Sequence, residues 1–391
     1  MKRRTFILGR VIPFICTVLS FLMLAVGTAA LGAEPLKVGV VLSLTGWAGF
    51  MGSPQKQAFT AIFDEANSKG GISGRQIQYF FEDDQSNPVT AATKLIRDRK
   101  VAIMTGPSTT DSGMSMIPVC EQQGVPFFIT APVSAPYKKW VFLLGPGDQR
   151  VAAHTARAIA EGLGAKRVAL LHDTSAYGMT GAKVMNREIP RYPGCSIIIQ
   201  ENFETTDVSM VPQLTKIKAA NPDLIMLFTS GRPASIVAKN YKQLGVKTQV
   251  LGSTPVGSPE FIRLAGDIAE ENRWLFMAAK LFVADKLPPD DPLRKVLYDP
   301  FKKLISERYG ESAVINLYQA TAYDGAHIVI EALRAVGSDD RSALRDALER
   351  IRFEGFHGAF ACTPEDHQGS PKDTVTDLMV LRNGQLDLYK K

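Results

Sequence analysis

Glycine-rich and hydroxyl-bearing turns follow three of the strands that the sequence predicts. These turns span residues 45–52, 106–110 and 130–136. Hydroxyls and backbone N–H groups at a helix N-terminus bind a carboxylate or a similar anion, with help from the helix dipole. Ordinary helix capping by Ser and Thr explains any one of these turns alone. Because the carboxyl ends of strands in an α/β sheet share one edge, the three turns together indicate a ligand site.

The evidence for a catalytic or metal-binding site is weaker. His172 and Asp173 end a predicted strand and could act as a base with its orienting acid, but a simple hydrogen-bonded pair is favoured because no nucleophile motif accompanies them. The acidic residues 82–84 could hold a metal, although capping of the next turn is favoured. No two of the five His residues have metal-ligand spacing. The sequence therefore predicts neither an enzyme nor a metal or cofactor site.

The amino-acid composition further restricts the class of protein. The chain has 391 residues, of which 45% are hydrophobic and 21% charged, as is typical of a globular protein with more than one domain. Four basic residues, Lys2, Arg3, Arg4 and Arg10, precede residue 33 with no acidic residue among them. Removing these four from the 45 basic residues leaves 41 against 39 acidic residues. The remainder is nearly neutral, which argues against a nucleic-acid partner.

Residues 1–33 resemble an export signal. A basic start precedes an uncharged apolar run over residues 11–31, and small residues gather at residues 29–33. An uncleaved membrane anchor is the alternative. We expect a periplasmic protein, exported by the general secretory or the twin-arginine route. Three cysteines remain beyond the signal, Cys120, Cys195 and Cys362, and we expect them to be buried side chains rather than a disulfide framework, with their redox state open.

Strands and helices alternate along the rest of the chain. This alternation predicts the α/β class, with two doubly wound, Rossmann-like lobes built on parallel sheets. The predicted strands span residues 36–42, 77–82, 101–104, 126–130, 140–144, 167–172, 196–200 and 223–228, with a final hairpin over residues 374–380 and 386–389. The predicted helices span residues 54–68, 88–99, 151–163, 177–189, 210–220, 233–244, 292–308, 313–336 and 341–350.

Several motifs resemble those of the leucine/isoleucine/valine-binding proteins, the periplasmic solute-binding proteins of ABC importers. The most specific are residues 67–75, Asn-Ser-Lys-Gly-Gly-Ile-Ser-Gly-Arg, and residues 83–88, Asp-Asp-Gln-Ser-Asn-Pro. They occur in order with residues 38–46, 106–110 and 177–178 along nearly all of the chain that follows residue 33.

The resemblance implies a type I periplasmic binding fold with three hinge crossovers, placed near residues 145–149, 278–283 and 356–360. The first lobe would then combine residues 36–148 with 281–356, and the second residues 149–280 with 357–391. It also implies a monomer that closes on a small ligand and delivers it to the transmembrane subunits of an ABC permease.

The resemblance also assigns ligand positions. Hydroxyls of the second and third turns would hold a ligand carboxylate. Tyr177 would close over the ligand from the second lobe and Tyr318 would form an aromatic wall. The full set of predicted ligand-binding residues is Trp47, Phe50, Met51, Ser108, Thr109, Thr110, Thr130, Pro132, Ser134, Tyr177, Ser230, Gly231, Arg232, Thr254 and Tyr318.

Departures from the family pattern bear on the ligand. Amino-acid binders of this class pair the ligand ammonium with an acid in the turn that here reads Ser253-Thr254-Pro255, and an unpaired buried ammonium is unfavourable. Arg232 adds a cation that either grips a second anionic group or is simply an exposed residue at a helix start. These features favour a carboxylate with an apolar or aromatic body over an α-amino acid.

Other functions share this fold. A ligand-sensing receptor and an amide- or amino-acid-binding protein are the main alternatives, and a sensor would require an output domain or a signalling partner. A secreted hydrolase using His172 and Asp173 ranks last.

Overall fold

A computed structural model describes residues 34–84, 87–133, 135–136, 138–144, 147–271, 273–311, 315–369 and 376–390. The predicted export signal, residues 1–33, and the predicted ligand residue Ser134 lie outside these residues.

The first sheet is parallel, with strand order β2-β1-β3-β4-β5. In β1 (Leu36–Leu42), Val38 and Val40 pack into one apolar cluster, whereas Val41 packs into another on the opposite face of the sheet. This burial on both faces explains why the strand is rich in apolar residues. The strands are β1 (Leu36–Leu42), β2 (Ile77–Asp83), β3 (Ile103–Gly106), β4 (Phe127–Ile129) and β5 (Val141–Leu143).

The second sheet has the order β14-β13-β10-β9-β8-β6-β7. Its strands are parallel except for a hairpin of β13 and β14 at one edge. Asn383 and Gly384 both have positive φ, at 51° and 71°, so the predicted hairpin turn is confirmed. The strands are β6 (Arg167–Asp173), β7 (Ser196–Phe203), β8 (Leu224–Phe228), β9 (Gln249–Gly252), β10 (Leu275–Ala279), β13 (Thr376–Arg382) and β14 (Gln385–Leu388).

Helices cover both faces of each sheet, which confirms the predicted α/β class with two doubly wound lobes. In the first lobe these are α1 (Gly49–Ser68), α2 (Pro88–Arg97), α3 (Thr110–Gln123), α9 (Asp299–Tyr309), α10 (Leu317–Val336) and α11 (Arg341–Arg350). In the second lobe they are α4 (Gly147–Arg157), α5 (Ala176–Glu188), α6 (Val211–Ala220), α7 (Arg232–Gln243) and α8 (Pro259–Glu271).

The segment after β10 joins the two lobes. Ala278 and Val283 pack into a second-lobe cluster, whereas Ala279, Leu281 and Ala284 pack into the first-lobe core. A 3₁₀ segment, Lys280–Lys286, therefore carries the chain from one hydrophobic core to the other.

The third crossover lies later than residues 356–360. A small antiparallel pair, β11 (Arg352–Gly355) and β12 (Gly358–Ala361), stays with the first lobe. Phe360 packs edge-on against Phe128 at 5.3 Å between ring centroids, and Gly369 N donates to Leu143 O at 2.9 Å. The prediction that residues 357–369 belong to the second lobe is therefore wrong, because their apolar side chains complete the first-lobe core.

The first turn of α1 begins earlier than the sequence indicates. The helix starts at Gly49 rather than at residue 54, so Phe50 and Met51 lie on a helix and not in a loop. A Cβ on Gly52 would lie 2.0 Å from Ser43 O, so only glycine allows this turn to pack directly on the end of β1. Gly52, which the sequence places in a loop, is thus needed for close helix packing.

Two adjacent carboxylates fix the ligand edge of the first sheet. Asp84 Oδ2 accepts hydrogen bonds from Ser43 Oγ at 2.7 Å and from Ser112 Oγ at 2.6 Å, which ties β1 to the first turn of α3. Asp83 Oδ1 accepts from Leu44 N at 2.9 Å and its Oδ2 from Thr45 Oγ1 at 2.6 Å. These acids cap neighbouring turns, and no cluster of three metal-ligating side chains occurs among the described residues.

Replacing Asp84 with Ala should lower the free energy of unfolding by about 2–3 kcal/mol, because two buried hydroxyls lose a charged acceptor. Asp84→Asn retains one oxygen acceptor and should lose about half as much. Urea unfolding midpoints measure both variants. Equal midpoints for the Ala variant and the unmodified chain would show that the Asp84 bonds contribute nothing to stability.

Candidate functional site

An inner cavity of about 80 Å³ lies where the two lobes meet. Both lobes line it, and most of the lining is apolar or hydroxyl-bearing. The lining residues of the first lobe are Trp47, Met51, Gln55, Ser108, Thr109, Thr110, Asp111, Thr130, Ala131, Pro132, Leu317, Tyr318 and Thr321, and those of the second lobe are Ser175, Tyr177, Ser230 and Pro255.

A wider outer chamber of about 620 Å³ adjoins the inner cavity. Trp47, Thr109, Asp111 and Ser175 line both spaces. Trp47 is 53% exposed and stands at their boundary. The rest of the outer lining is mostly hydroxyls and carboxylates, with no basic side chain among the residues that line it.

The two lobes contact each other directly beside the cavity. Asp111 Oδ1 of the first lobe accepts a hydrogen bond from Ala176 N of the second at 3.3 Å. Phe50 packs against Gly231, where a Cβ would lie 2.8 Å from the ring. The structure is therefore a closed arrangement of the lobes.

Hydroxyls of the predicted anion site bond to the first lobe itself. Ser108 Oγ donates to Gln55 Oε1 at 2.6 Å, Thr110 Oγ1 donates to Pro132 O at 2.9 Å, and Thr130 Oγ1 donates to Pro107 O at 3.1 Å. These hydrogen bonds hold the turns together. That hydroxyls of these turns hold a ligand carboxylate stays a prediction.

The N-terminus of α3 provides the remaining donors. Thr109 is its N-cap and accepts a bond from Ser112 N at 3.2 Å. The N–H groups of Thr110 and Asp111 occupy the first two helical positions, where a helix offers no internal acceptor. These backbone groups, with the helix dipole, can bind an anion in the cavity.

Aromatic side chains form two walls of the site. Tyr318 is only 8% exposed, and Phe50 packs edge-on against it at 5.6 Å between centroids. Burial, followed by the nearby charges of Tyr177 and Glu260, raises the pKa of the Tyr318 hydroxyl, which stays protonated. From the other lobe, Tyr177 reaches the cavity and contacts Phe228 at 6.2 Å.

Not every predicted second-lobe residue reaches the cavity. Ser230 lines it, whereas Gly231 contacts Phe50, and neither Gly231 nor Phe50 is a lining residue. Arg232 is exposed as the first residue of α7, which matches the second of its two interpretations. Thr254 begins a short 3₁₀ turn whose next residue, Pro255, lines the cavity instead.

The sequence analysis missed several lining residues. Gln55 is the clearest, because it is buried on α1 between apolar residues at helical spacing, and this pattern is a usable signal. Its Nε2 donates to Thr321 Oγ1 at 3.4 Å, which joins α1 to α10. No such sequence pattern marks Asp111, Ser175 or Leu317, because only the fold brings these residues to the cavity.

His172 and Asp173 have structural contacts. Both ring nitrogens of His172 are engaged, Nδ1 with Asp173 O at 2.8 Å and Nε2 with Gln200 Nε2 at 2.9 Å. The Asp173 carboxylate accepts from Thr229 Oγ1 at 2.7 Å and from Ser175. The pair thus supports the ends of β6 and β8 beside the cleft, and its geometry is not that of a base with its orienting acid.

A sequence model described as "Periplasmic binding protein" matches residues 35–381. The chain is 23% identical over 333 residues to a leucine-, isoleucine-, valine-, threonine- and alanine-binding protein of Pseudomonas aeruginosa, covering 83% of this chain and 85% of that protein. It is 24% identical over 262 residues to a Leu/Ile/Val-binding protein of Rhizobium johnstonii, covering 65% of this chain and 70% of that protein.

Solved structures share the fold. An extracellular ligand-binding receptor from Rhodopseudomonas palustris HaA2 has a TM-score of 0.82 and 27% identity, over 91% of this chain and 99% of the receptor. A leucine-binding protein from Thermotoga maritima has a TM-score of 0.77 and 22% identity, over 91% and 98% of the two chains. Within the described part of this chain, no helix is both long and apolar enough to cross a bilayer.

Replacing Gly231 with Ala should disfavour the closed arrangement by about 1–3 kcal/mol, because the added methyl overlaps the Phe50 ring. Gly245→Ala is the matched control, since Gly245 has a similar φ, 58° against 62°, but open space around it. Spin labels at Met114→Cys and Met179→Cys, which are exposed positions on facing helices, report the distance between the lobes.

The native cysteines Cys120, Cys195 and Cys362 are buried and should not take the label. We expect Gly231→Ala to lose population at the short distance, with and without bound solute, while Gly245→Ala does not. Identical distance distributions in both variants would exclude Gly231 as a determinant of closure.

Proposed function

Because the chain belongs to the periplasmic binding protein family, we propose that it is the solute-binding component of an ABC importer and binds a small carboxylate with an apolar or aromatic body. Members of this family are solute-binding proteins of the periplasm that work with ABC permease subunits. The proposal adds the class of ligand, its place between the lobes and its delivery to the permease by a monomer.

The observation that carries the proposal is the inner cavity lined from both lobes. A ligand there contacts α3 and α10 of one lobe together with Tyr177 and Ser230 of the other. Such a ligand binds the closed arrangement more tightly than the open one, and so it shifts the population towards closure. A permease can then distinguish loaded from empty protein by the relative position of the lobes.

The carboxylate is assigned to the N-terminus of α3. The N–H groups of Thr110 and Asp111 and the positive end of the helix dipole lie at this edge of the cavity. Asp111 is exposed, and its carboxylate accepts from Ala176 N, so it lies at the rim. The helix terminus therefore provides an anion site without a basic side chain.

The body of the ligand is assigned to the apolar part of the lining. Trp47, Met51, Tyr177, Leu317 and Tyr318 offer aromatic and aliphatic contact surfaces from both lobes.

An α-amino acid is the competing ligand class, and the names of the relatives favour it for those proteins. In this chain the turn after β9 contributes Pro255 to the cavity and has no carboxylate at residues 253–255. An ammonium there would lack a charged partner in that turn.

A ligand panel separates these classes. Thermal unfolding of the chain lacking residues 1–33 is measured with amino acids, amides, aliphatic acids and aromatic acids. At a hundredfold excess over its dissociation constant, a true ligand stabilises the fold by about 2.7 kcal/mol. We expect the rise with an aliphatic or aromatic acid, and a larger rise with leucine than with any plain acid would contradict the proposed ligand class.

Tyr177→Ala should weaken binding of the best acid from the panel by about 10- to 100-fold, because the second lobe loses its aromatic contact. Tyr309→Ala is the control, since Tyr309 is half-exposed on the first lobe and does not line the cavity. Titration calorimetry measures both. An equal loss of affinity in the two variants would place the ligand elsewhere.

A further inference from the structure

A further cavity, of about 570 Å³, lies beside the crossover segment Lys280–Lys286 and is called the hinge cavity below. Among the described residues it shares no lining side chain with the inner cavity or the outer chamber. Its walls come from the second lobe, the crossover and the first lobe, as shown by Ile262, Leu281 and Lys302. A molecule in the hinge cavity would therefore contact both lobes through residues that the solute site does not use.

Most of the uncharged lining of the hinge cavity is apolar. Phe282 packs against the hydrophobic cores of both lobes. Ile315 belongs to the first-lobe core and Leu386 to a second-lobe cluster. The cavity thus offers an apolar surface to which each lobe contributes.

Three basic side chains line the same cavity, Arg263 of α8, Lys286 of the crossover and Lys302 of α9. All three residues are exposed, and none forms an ion pair within the described part of the chain. Lys286 Nζ donates to Leu386 O at 2.8 Å, which holds this ammonium against the β13–β14 hairpin. Lys302 Nζ lies 5.6 Å from the centroid of the Tyr298 ring. The cations are therefore available to a ligand, and contacts fix the positions of two of them.

Two acidic residues, Asp285 and Glu311, also line the hinge cavity. Arg294, which is not a lining residue, donates from Nη1 to Asp285 O at 3.0 Å, so a further cation stands beside that acid. Basic side chains thus outnumber acidic ones in the lining, and one of the two acids has a basic neighbour behind it. This balance favours an anionic ligand over a cationic one.

Tyr298 adds a hydrogen-bond donor to the hinge cavity. It lines the cavity and is more than nine-tenths buried, and its hydroxyl makes no hydrogen bond to another described residue. Burial, followed by the nearby charge of Asp285, raises the pKa of this hydroxyl, which keeps its proton. A buried phenol with an unused proton is a site at which a bound acceptor is favoured.

We propose that the hinge cavity binds a small amphipathic anion, with its apolar body on the surface shared by the lobes and its charge among Arg263, Lys286 and Lys302. The anion contacts walls of both lobes in their closed arrangement, so it would favour closure. A solute in the inner cavity favours the same arrangement, and each ligand would then tighten the binding of the other by an equal factor. This coupling rests on the proposed function, whereas the hinge site itself does not.

The fluorescent probe 8-anilinonaphthalene-1-sulfonate (ANS), an amphipathic anion, tests the site on the chain lacking residues 1–33. We expect one molecule to bind saturably, with a rise in fluorescence. 1-Octanesulfonate should displace ANS at least about tenfold more effectively than octyltrimethylammonium, which has the same alkyl chain and the opposite charge. Equal displacement by the two compounds would contradict the proposed ligand class.

Three variants locate the probe. Arg263→Glu and Lys302→Glu should each weaken ANS binding by about tenfold or more, because each replaces a cation of the lining with an anion. Lys303→Glu is the matched control, since Lys303 is the next residue of α9, has a side chain that is 77% exposed and does not line the cavity. Thermal unfolding of each variant shows whether it folds, and either of the first two variants is sufficient.

The outcomes separate the site, its coupling and the proposed function. Unchanged ANS affinity in both Arg263→Glu and Lys302→Glu overturns the site, and so does an equal loss in Lys302→Glu and Lys303→Glu. With the best acid from the ligand panel at saturation, we expect ANS to bind about fivefold tighter or more. Unchanged or weaker ANS binding under that condition overturns the coupling. Failure of every acid in the panel to bind overturns the proposed function, while the comparison of variants still decides the hinge site.

Discussion

The Asp84 carboxylate is the constraint on which the ligand edge of the first lobe depends. One oxygen accepts from a residue at the end of β1 and from another in the first turn of α3, and so it fixes two elements that are far apart in sequence. Ser108 continues the network, because its hydroxyl accepts from Ser43 N and donates to Gln55 on α1. The start of α3, where we propose the anion site, and the side chains of α1 that line the inner cavity, Met51 and Gln55, are therefore positioned by one set of bonds. A change at Asp84 would therefore disturb both of these regions together.

The cleft combines a hydrogen-bonded surface on the first lobe with direct contacts between the two lobes. First-lobe polar groups are mostly bonded to each other, which keeps the site rigid before a ligand arrives. Direct contacts between the lobes include the Asp111 bond to Ala176 and the fit of Phe50 against Gly231. A ligand that contacts both lobes would add to the free energy of closure.

The fold was largely predictable because buried parallel strands leave a strong local signal. Apolar runs such as β1 and glycine stops after helices such as α1 identify the alternation without tertiary information. The site was less predictable, for physical reasons that differ between residues. Phe50 was predicted to lie in a loop because glycines surround it in the sequence. Glycine is also required where a helix packs closely on a strand, as Gly52 shows. The hydroxyl of Thr110 was predicted to hold the ligand carboxylate, and in the structure it donates its proton to the backbone carbonyl of Pro132, 22 residues later. Ser134 lies outside the described residues.

The acidic lining of the outer chamber affects the rate at which a solute binds. Asp84, Asp111 and Glu204 give it acidic groups and none of its lining residues is basic. An anionic solute would approach through an unfavourable potential, and only the terminus of α3 further in would attract it. Such a barrier slows both association and dissociation of the ligand, so it changes the lifetime of the complex more than its affinity. Dissolved salt screens this barrier over a Debye length of about 8 Å at physiological ionic strength. The ionic strength outside the inner membrane would therefore set the rate at which the ligand associates.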